Sequence, residues 1–200
     1  VAHVEAGLRS RDMSMPEEIN RLCTDVLCDY LFTTDHFANE NLLREGVAPE
    51  KIIFAGNVMI DTLLKHKGLA RDLALMESWG LEPRGFATLT LHRPSNVDEP
   101  RILEGILEAL HKAASRSPII FPIHPRTRDK VKQFGLERYL SRTEKPSGLW
   151  VTEPLGYLEL LHLNMNARFV VTDSGGLQEE TTVLGVPCIT LRHNTERPIT

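Results

Sequence analysis

Imidazole, guanidinium and hydroxyl groups in this sequence gather directly after apolar, β-branched runs. His92-Arg93-Pro94-Ser95-Asn96 follows "TLTL", and His124-Pro125-Arg126 follows "FPI". Pro154-Leu155-Gly156-Tyr157 follows "VTE", Asp173-Ser174-Gly175-Gly176 follows "VVT", and Arg192-His193-Asn194-Thr195-Glu196-Arg197 follows "ITL". The chain itself opens on His3-Val4-Glu5-Ala6-Gly7-Leu8-Arg9 after a strand-like start. At "DSGGLQEE" two local readings stand side by side. Asp or Ser can cap a helix start while glycine relieves the turn. The free amides and the helix dipole also suit a phosphate, which the glycines let approach. A single Arg is usually just solvated, and a single His usually plays a structural part. Their joint appearance after successive strands favours a phosphorylated ligand, with arginines for bidentate charge pairing.

Such groups need elements to hold them. "PEEINRLCTDVLCDY" puts Ile19, Leu22, Cys23, Val26 and Leu27 on one helical face. Ser14 and Glu17 have capping-box spacing, and Pro16 suits a first turn. "YLFTT" and "KIIFAG" read as strands around the short helix "ANENLLREGV", which Gly46 stops. From Asn57 to about Arg84 only helical patterns occur. Then strands "FATLTL", "PIIFPI", "LWVTE", "RFVVT" and "PCITL" alternate with helical segments. Alternation of this kind specifies parallel sheets with right-handed crossovers. Their strands are apolar enough for burial on both faces. The fold class expected is α/β with two doubly wound parallel-sheet domains, the first incomplete. Residues 1–57 would be the last part of the first, and 58–200 the interdomain helices and most of the second. Open parallel sheets bind ligands outside the carboxyl ends of their strands, so the polar stretches would share a rim.

The bulk composition excludes several classes. A formal net charge of -4 gives no reason to expect nucleic acid. No apolar run approaches the length of a membrane span, and no secretory signal opens the chain. Cys23, Cys28 and Cys188 lack metal-type spacing. They suit a reducing cytoplasm, with Cys23 and Cys28 as small core residues. "HVE" and "HRP" offer too few ligands for zinc. No phosphate-loop or dinucleotide fingerprint occurs, so neither metal nor cofactor is expected. The chain begins without Met, as if at the end of a strand, and stops within a loop, so an internal piece of a longer protein is expected.

"HVEAGLRS", "MPEEINR", "LTLHRPSN", "PIHPRT", "VTDSGGLQEE", "LGVPCITLR" and "NTERP" together resemble the non-hydrolysing UDP-N-acetylglucosamine 2-epimerases, in order and from end to end. The resemblance implies a GT-B architecture, in which the nucleotide sugar lies in a cleft between two Rossmann-like domains. It implies interconversion of UDP-N-acetylglucosamine and UDP-N-acetylmannosamine through loss and return of UDP. That chemistry needs a base, an acid and stabilisation of departing UDP. Glu5 and Glu17 match the family's catalytic carboxylates, although Glu17 also has the capping-box reading; an Asp would precede Val1. His92 matches the essential histidine beside the diphosphate. Ser174, Gly175 and Gly176 would hold the β-phosphate, Glu180 the ribose hydroxyls, and Arg197 the phosphate or sugar. Leu155 and Leu160 stand where relatives carry a Gln and a Phe near the uracil, so base stacking would differ. Arg93 and His124 match positions associated in bacterial members with a second, regulatory nucleotide sugar. The full-length protein would be a cytoplasmic homodimer. A GT-B glycosyltransferase, or an epimerase of another UDP-2-acetamido sugar, is the alternative.

Overall fold

A computed structural model describes residues 1–192 and 195–197. His193, Asn194 and Pro198, which belong to the expected loop after "ITL", lie outside the described residues. The chain forms two compact units, Val1–Leu63 with His193–Thr200, and Leu64–Arg192. The division falls inside helix α3 (Val58–Arg71) rather than between 57 and 58, and the described residues Thr195–Arg197 group with the first unit.

Unit 1 holds β1 (Ala2–Ala6), α1 (Pro16–Leu27), β2 (Tyr30–Thr33), α2 (His36–Arg44) and β3 (Ile52–Phe54). Its strands pair in parallel in the order β1-β2-β3. Asp35 caps α2 by accepting from the Ala38 amide at 2.8 Å. The apolar cluster of this unit is small: Ala6, Cys28, Leu31 and Leu42, with Val47 and Ile52 against it.

Helix α1 departs from the sequence expectation. Ile19, Cys23, Val26 and Leu27 are exposed, Val26 at 82%, whereas Glu18 and Asp25 are buried. The physical reason lies in hydrogen bonding. Glu18 accepts from the Ser10 amide and hydroxyl, the Arg11 amide and Arg21, and Asp25 accepts from the Gly7 amide and Arg9. Buried charge is tolerated when it is paired and fully hydrogen-bonded. Cys28 is in the core as expected, but Cys23 is not. The capping box also fails. Met15 occupies the N-cap with no side-chain bond, and the Ser14 hydroxyl donates instead to Asp12 at 2.6 Å.

Unit 2 holds α4 (Leu75–Trp79), β4 (Ala87–Thr90), α5 (Pro94–Val97), α6 (Pro100–Ala114), β5 (Ile119–Pro122), α7 (Pro125–Gln133), β6 (Leu149–Thr152), α8 (Tyr157–Asn166), β7 (Val170–Thr172), α9 (Gly175–Leu184) and β8 (Cys188–Thr190). Its all-parallel sheet runs β6-β5-β4-β7-β8. Side chains alternate between faces along each strand. Leu89, Ile119, Phe121 and Val171 join one core, closed by Leu103 and Leu107 of α6 and Val131 of α7. Phe86, Ile120, Trp150 and Val170 join the other, closed by Met76 of α4 and Leu163 of α8. Each fully buried aliphatic or aromatic side chain here contributes about 1.5–3 kcal/mol through burial. Both faces are therefore covered by helices, as the strand composition requires, and the strand order makes this a doubly wound Rossmann-like unit. With the smaller three-stranded parallel unit 1, it gives the α/β two-domain class expected. The short α5 and the 3-10 turns Pro49–Lys51 and Glu137–Tyr139 escape the sequence pattern, because three or four residues are too few to show a period.

Candidate active site

In the order β6-β5-β4-β7-β8 the chain reverses direction of travel between β4 and β7. The switch point of such a sheet leaves a crevice at the strands' carboxyl ends. A cavity of about 300 Å³ opens there, lined by Thr90, His92, His124, Leu155, Leu160 and Ser174 among others. Several residues expected to act together are thus brought together within unit 2. The His92 and His124 rings lie 6.2 Å apart.

Each side chain owes its place to a local device. Ser174 is the N-cap of α9, but its hydroxyl makes no capping bond. Gly175 and Gly176 form the first helical turn behind it. Ser174 lines the cavity and its hydroxyl does not close on the helix start, whereas its amide donates to Thr172 Oγ1 at 2.9 Å. His124 caps α7, its Nδ1 accepting from the Arg126 amide at 3.3 Å. Arg93 is the N-cap of α5 and donates its amide to Asp173 at 2.7 Å.

Asp173 is the residue that sequence reasoning misjudged. It does not cap α9. It is fully buried, and its Oδ2 accepts from the His92 amide at 2.9 Å, the Arg93 amide at 2.7 Å and Asn96 Nδ2 at 3.1 Å. Its Oδ1 lies 3.0 Å from His92 Nδ1. Burial pushes the Asp173 carboxyl up, but the His92 ring and the Arg93 and His92 amides together outweigh it and hold it below the ordinary carboxylate range. It is therefore ionised at neutral pH.

Glu180 lies about one turn beyond the cavity-lining Leu177 in α9. It is buried, and Tyr157 Oη donates to its Oε1 at 3.4 Å. Burial pushes the Glu180 carboxyl up; the bond from Tyr157 only partly offsets this, and Glu179 adds to the rise. Such a carboxylate gains from any ligand hydroxyl that donates to it. Tyr157 was legible only as part of the loop after "VTE".

Unit 1 carries the remaining expected groups. Glu5 ends β1 with φ 68°, at a register shift between Val4 and Ala6. A non-glycine residue in this region stores about 1–3 kcal/mol of strain, a conformation that Arg11 and Arg84 also adopt. Arg197 Nη2 donates to Glu5 Oε2 at 3.3 Å, while Glu5 Oε1 is buried with no partner among the described residues. Within unit 1, Arg197 is thus brought to Glu5. Glu17 stands exposed in the first turn of α1. Its neighbour Glu18 is the buried one, and burial is outweighed there by the Ser10 and Arg11 amides, the Ser10 hydroxyl and Arg21, so that its carboxyl is held low. No group of three or more His, Cys, Asp or Glu side chains able to hold a metal occurs among the described residues, and no described helix is long and apolar enough to cross a membrane.

Known proteins share this arrangement of elements. The chain is 47% identical over 206 residues to UDP-N-acetylglucosamine 2-epimerase of Methanocaldococcus jannaschii, covering 100% of this chain and 55% of that protein. It is 40% identical over 199 residues to UDP-2,3-diacetamido-2,3-dideoxy-D-glucuronate 2-epimerase of Pseudomonas aeruginosa, covering 98% and 52%. The M. jannaschii enzyme solved in complex with UDP-GlcNAc and UDP superposes with a TM-score of 0.85 at 47% identity, covering 99% of this chain and 55% of that one. The Neisseria meningitidis UDP-GlcNAc 2-epimerase bound to UDP-GlcNAc gives 0.83 at 28% identity, covering 99% and 54%. The chain spans about half the length of the curated relatives it matches. The family model described as UDP-N-acetylglucosamine 2-epimerase matches residues 1–200, so by motif order, fold and full-length match this chain belongs to the UDP-N-acetylglucosamine 2-epimerase family.

Proposed function

We propose that the full-length protein interconverts UDP-N-acetylglucosamine and UDP-N-acetylmannosamine. The C2 proton leaves to a base as the C1–O bond breaks, giving 2-acetamidoglucal and UDP. Return of the proton to the other face of C2, with re-addition of UDP at C1, gives the epimer. The observation that carries this reading is the cavity at the β4/β7 switch point, where His92 and the uncapped Ser174 start of α9 line one space. Ser174, Gly175 and Gly176 hold the β-phosphate through hydroxyl and amides. His92 stabilises the charge that grows on departing UDP. Glu180 takes the ribose hydroxyls, and Leu155 and Leu160 border the base. Glu5, with one unpaired buried oxygen, transfers the proton, and Glu17 is the second carboxylate. Arg197 holds Glu5 by charge, and Arg93 and His124 serve a second nucleotide sugar. The full-length protein works as a cytoplasmic homodimer.

Incubating full-length protein with UDP-N-acetylglucosamine in deuterated water tests the reaction. Deuterium appears at C2 without any acceptor; its absence, with sugar transfer to an acceptor instead, makes the protein a transferase. The 40% identity to the Pseudomonas 2-epimerase supports a second substrate reading within the same chemistry, a UDP-2-acetamido uronate. Parallel assays with both sugars decide it. His92→Ala lowers kcat more than it raises KM, because its charge matters most as UDP departs. A raised KM with unchanged kcat removes His92 from that role.

A further inference from the structure

We propose that Asp173 is a positioning residue that fixes the His92 ring in its Nδ1–H tautomer and so presents Nε2 as the working nitrogen. The inference rests on the reading of His92 given above, but its structural half stands alone. Asp173 occupies the last position before the Ser174 cap, and His92 the loop after β4, so the contact crosses the switch point.

The two carboxylate oxygens have separate tasks. Oδ2 is spent on three nitrogen donors: the His92 amide, the Arg93 amide and Asn96 Nδ2. Asn96 Nδ2 also donates to the Leu191 carbonyl at 2.9 Å, tying the same loop to the end of β8. Oδ1 lies 3.0 Å from the ring Nδ1 at ion-pair distance, out of line for a hydrogen bond, and accepts no hydrogen bond from the described residues, so a small turn of the ring would give it its donor. A buried anionic oxygen facing a ring nitrogen demands a proton between them. Neutral imidazole carries one proton, so Nε2 becomes an acceptor in the resting state. A bound diphosphate draws a proton onto Nε2, and Asp173 stabilises the resulting imidazolium, the charged form that departing UDP meets. The backbone amide of His92 donates to Oδ2 and its ring lies 3.0 Å from Oδ1 of the same carboxylate, which holds the residue beside Asp173. The second nitrogen of a histidine commonly sets the role of the first in this way.

An Asn at 173 makes the inference testable. Its carbonyl oxygen must face the three donors that Oδ2 now satisfies, which turns its NH2 group toward His92 Nδ1. The ring must then accept at Nδ1 and carry its proton on Nε2. We expect nitrogen-15 histidine spectra of the full-length protein, with His92 assigned through His92→Gln, to show Nδ1–H in the wild type and Nε2–H in Asp173→Asn. Turnover should fall about 10²-fold or more in kcat with KM changed far less, the pattern of a wrong tautomer on an intact scaffold. Asn96→Ala is the structural comparison: it loosens the loop but leaves the wild-type tautomer. An Nε2–H tautomer in the wild type overturns the proposal even if Asp173→Asn does not fold. An unchanged tautomer in folded Asp173→Asn overturns it as well. A tautomer switch in a protein without epimerase activity upholds the positioning role and rejects the proposed reaction.

Discussion

Unit 1 and unit 2 share a parallel βα plan but anchor their helices by opposite means. In unit 2, α6 turns Leu103 and Leu107 inward, into an apolar core. In unit 1, α1 turns Glu18 and Asp25 inward and leaves Val26 and Leu27 exposed. The inward carboxylates work because strand and loop donors saturate them. A buried carboxylate with a full set of donors behaves as architecture. One left with an unpaired oxygen, as Glu5 and Asp173 are, keeps a lone pair for a further donor. The contrast thus sorts acidic side chains by their donors rather than by their burial.

The sharpest way to break that sorting is Glu5→Gln. We expect kcat to fall about 10²–10⁴-fold, the range of a lost acid–base group, with the fold retained. Deuterium uptake at C2 gives the rate; near-normal turnover moves Glu5 into the architectural class. Next comes the anchoring itself. Asp25→Ala leaves the buried Arg9 side chain with Glu45 as its one carboxylate partner among the described residues and should cost about 3–5 kcal/mol. Leu107→Ala should cost about 2–5 kcal/mol. Hydrogen exchange locates each loss: unit 1 amides for Asp25, unit 2 amides for Leu107. Opening confined to the other unit in either case contradicts the comparison.

A smaller effect concerns acid. The Glu18 carboxyl is held low in the folded state, so its contribution is present above the unfolded carboxyl range and is lost as pH falls through the folded value. Asp173 has the same sign in unit 2. Glu18→Gln should flatten the acid dependence of unit 1 exchange while leaving that of unit 2; an unchanged slope in unit 1 shows that Glu18 is not the titrating group. The smallest effect is at Glu180, where the sign reverses. Its carboxyl is raised by burial, so ionisation opposes folding and stability falls as pH rises through the folded value. Glu180→Gln should give a slight rise in melting temperature at neutral pH that fades toward acid, while UDP binds about tenfold more weakly or worse. Calorimetry reads both, and unchanged UDP affinity separates Glu180 from the ribose.

The alternating elements were legible because every strand and long helix carries its own period. "FATLTL" and "RILEGILEALHKAAS" need no partner to announce themselves. The inward face of α1 was not legible, because hydrophobicity alone scores Glu18 and Asp25 as exposed. Their donors belong to other segments: Ser10, Arg11 and Gly7. The Asp173 contacts to the loop at His92 and Arg93 span 81 and 80 positions, so neighbouring residues suggested a cap instead. His92, His124, Leu155 and Ser174 were placed on one rim because a parallel sheet forces its loops to alternate ends, whereas Leu160 came from the family resemblance. The meeting of Arg197 with Glu5, 192 positions apart, had no local signal.

The left-handed backbone at Glu5 also restricts what can replace it. Asparagine, aspartate or glycine can occupy that geometry, whereas valine or isoleucine would have to unbend the strand end. Saturation libraries at this codon should therefore separate into well-expressed variants with short polar or absent side chains and poorly expressed β-branched ones, a split set by torsion angles before any sugar is added.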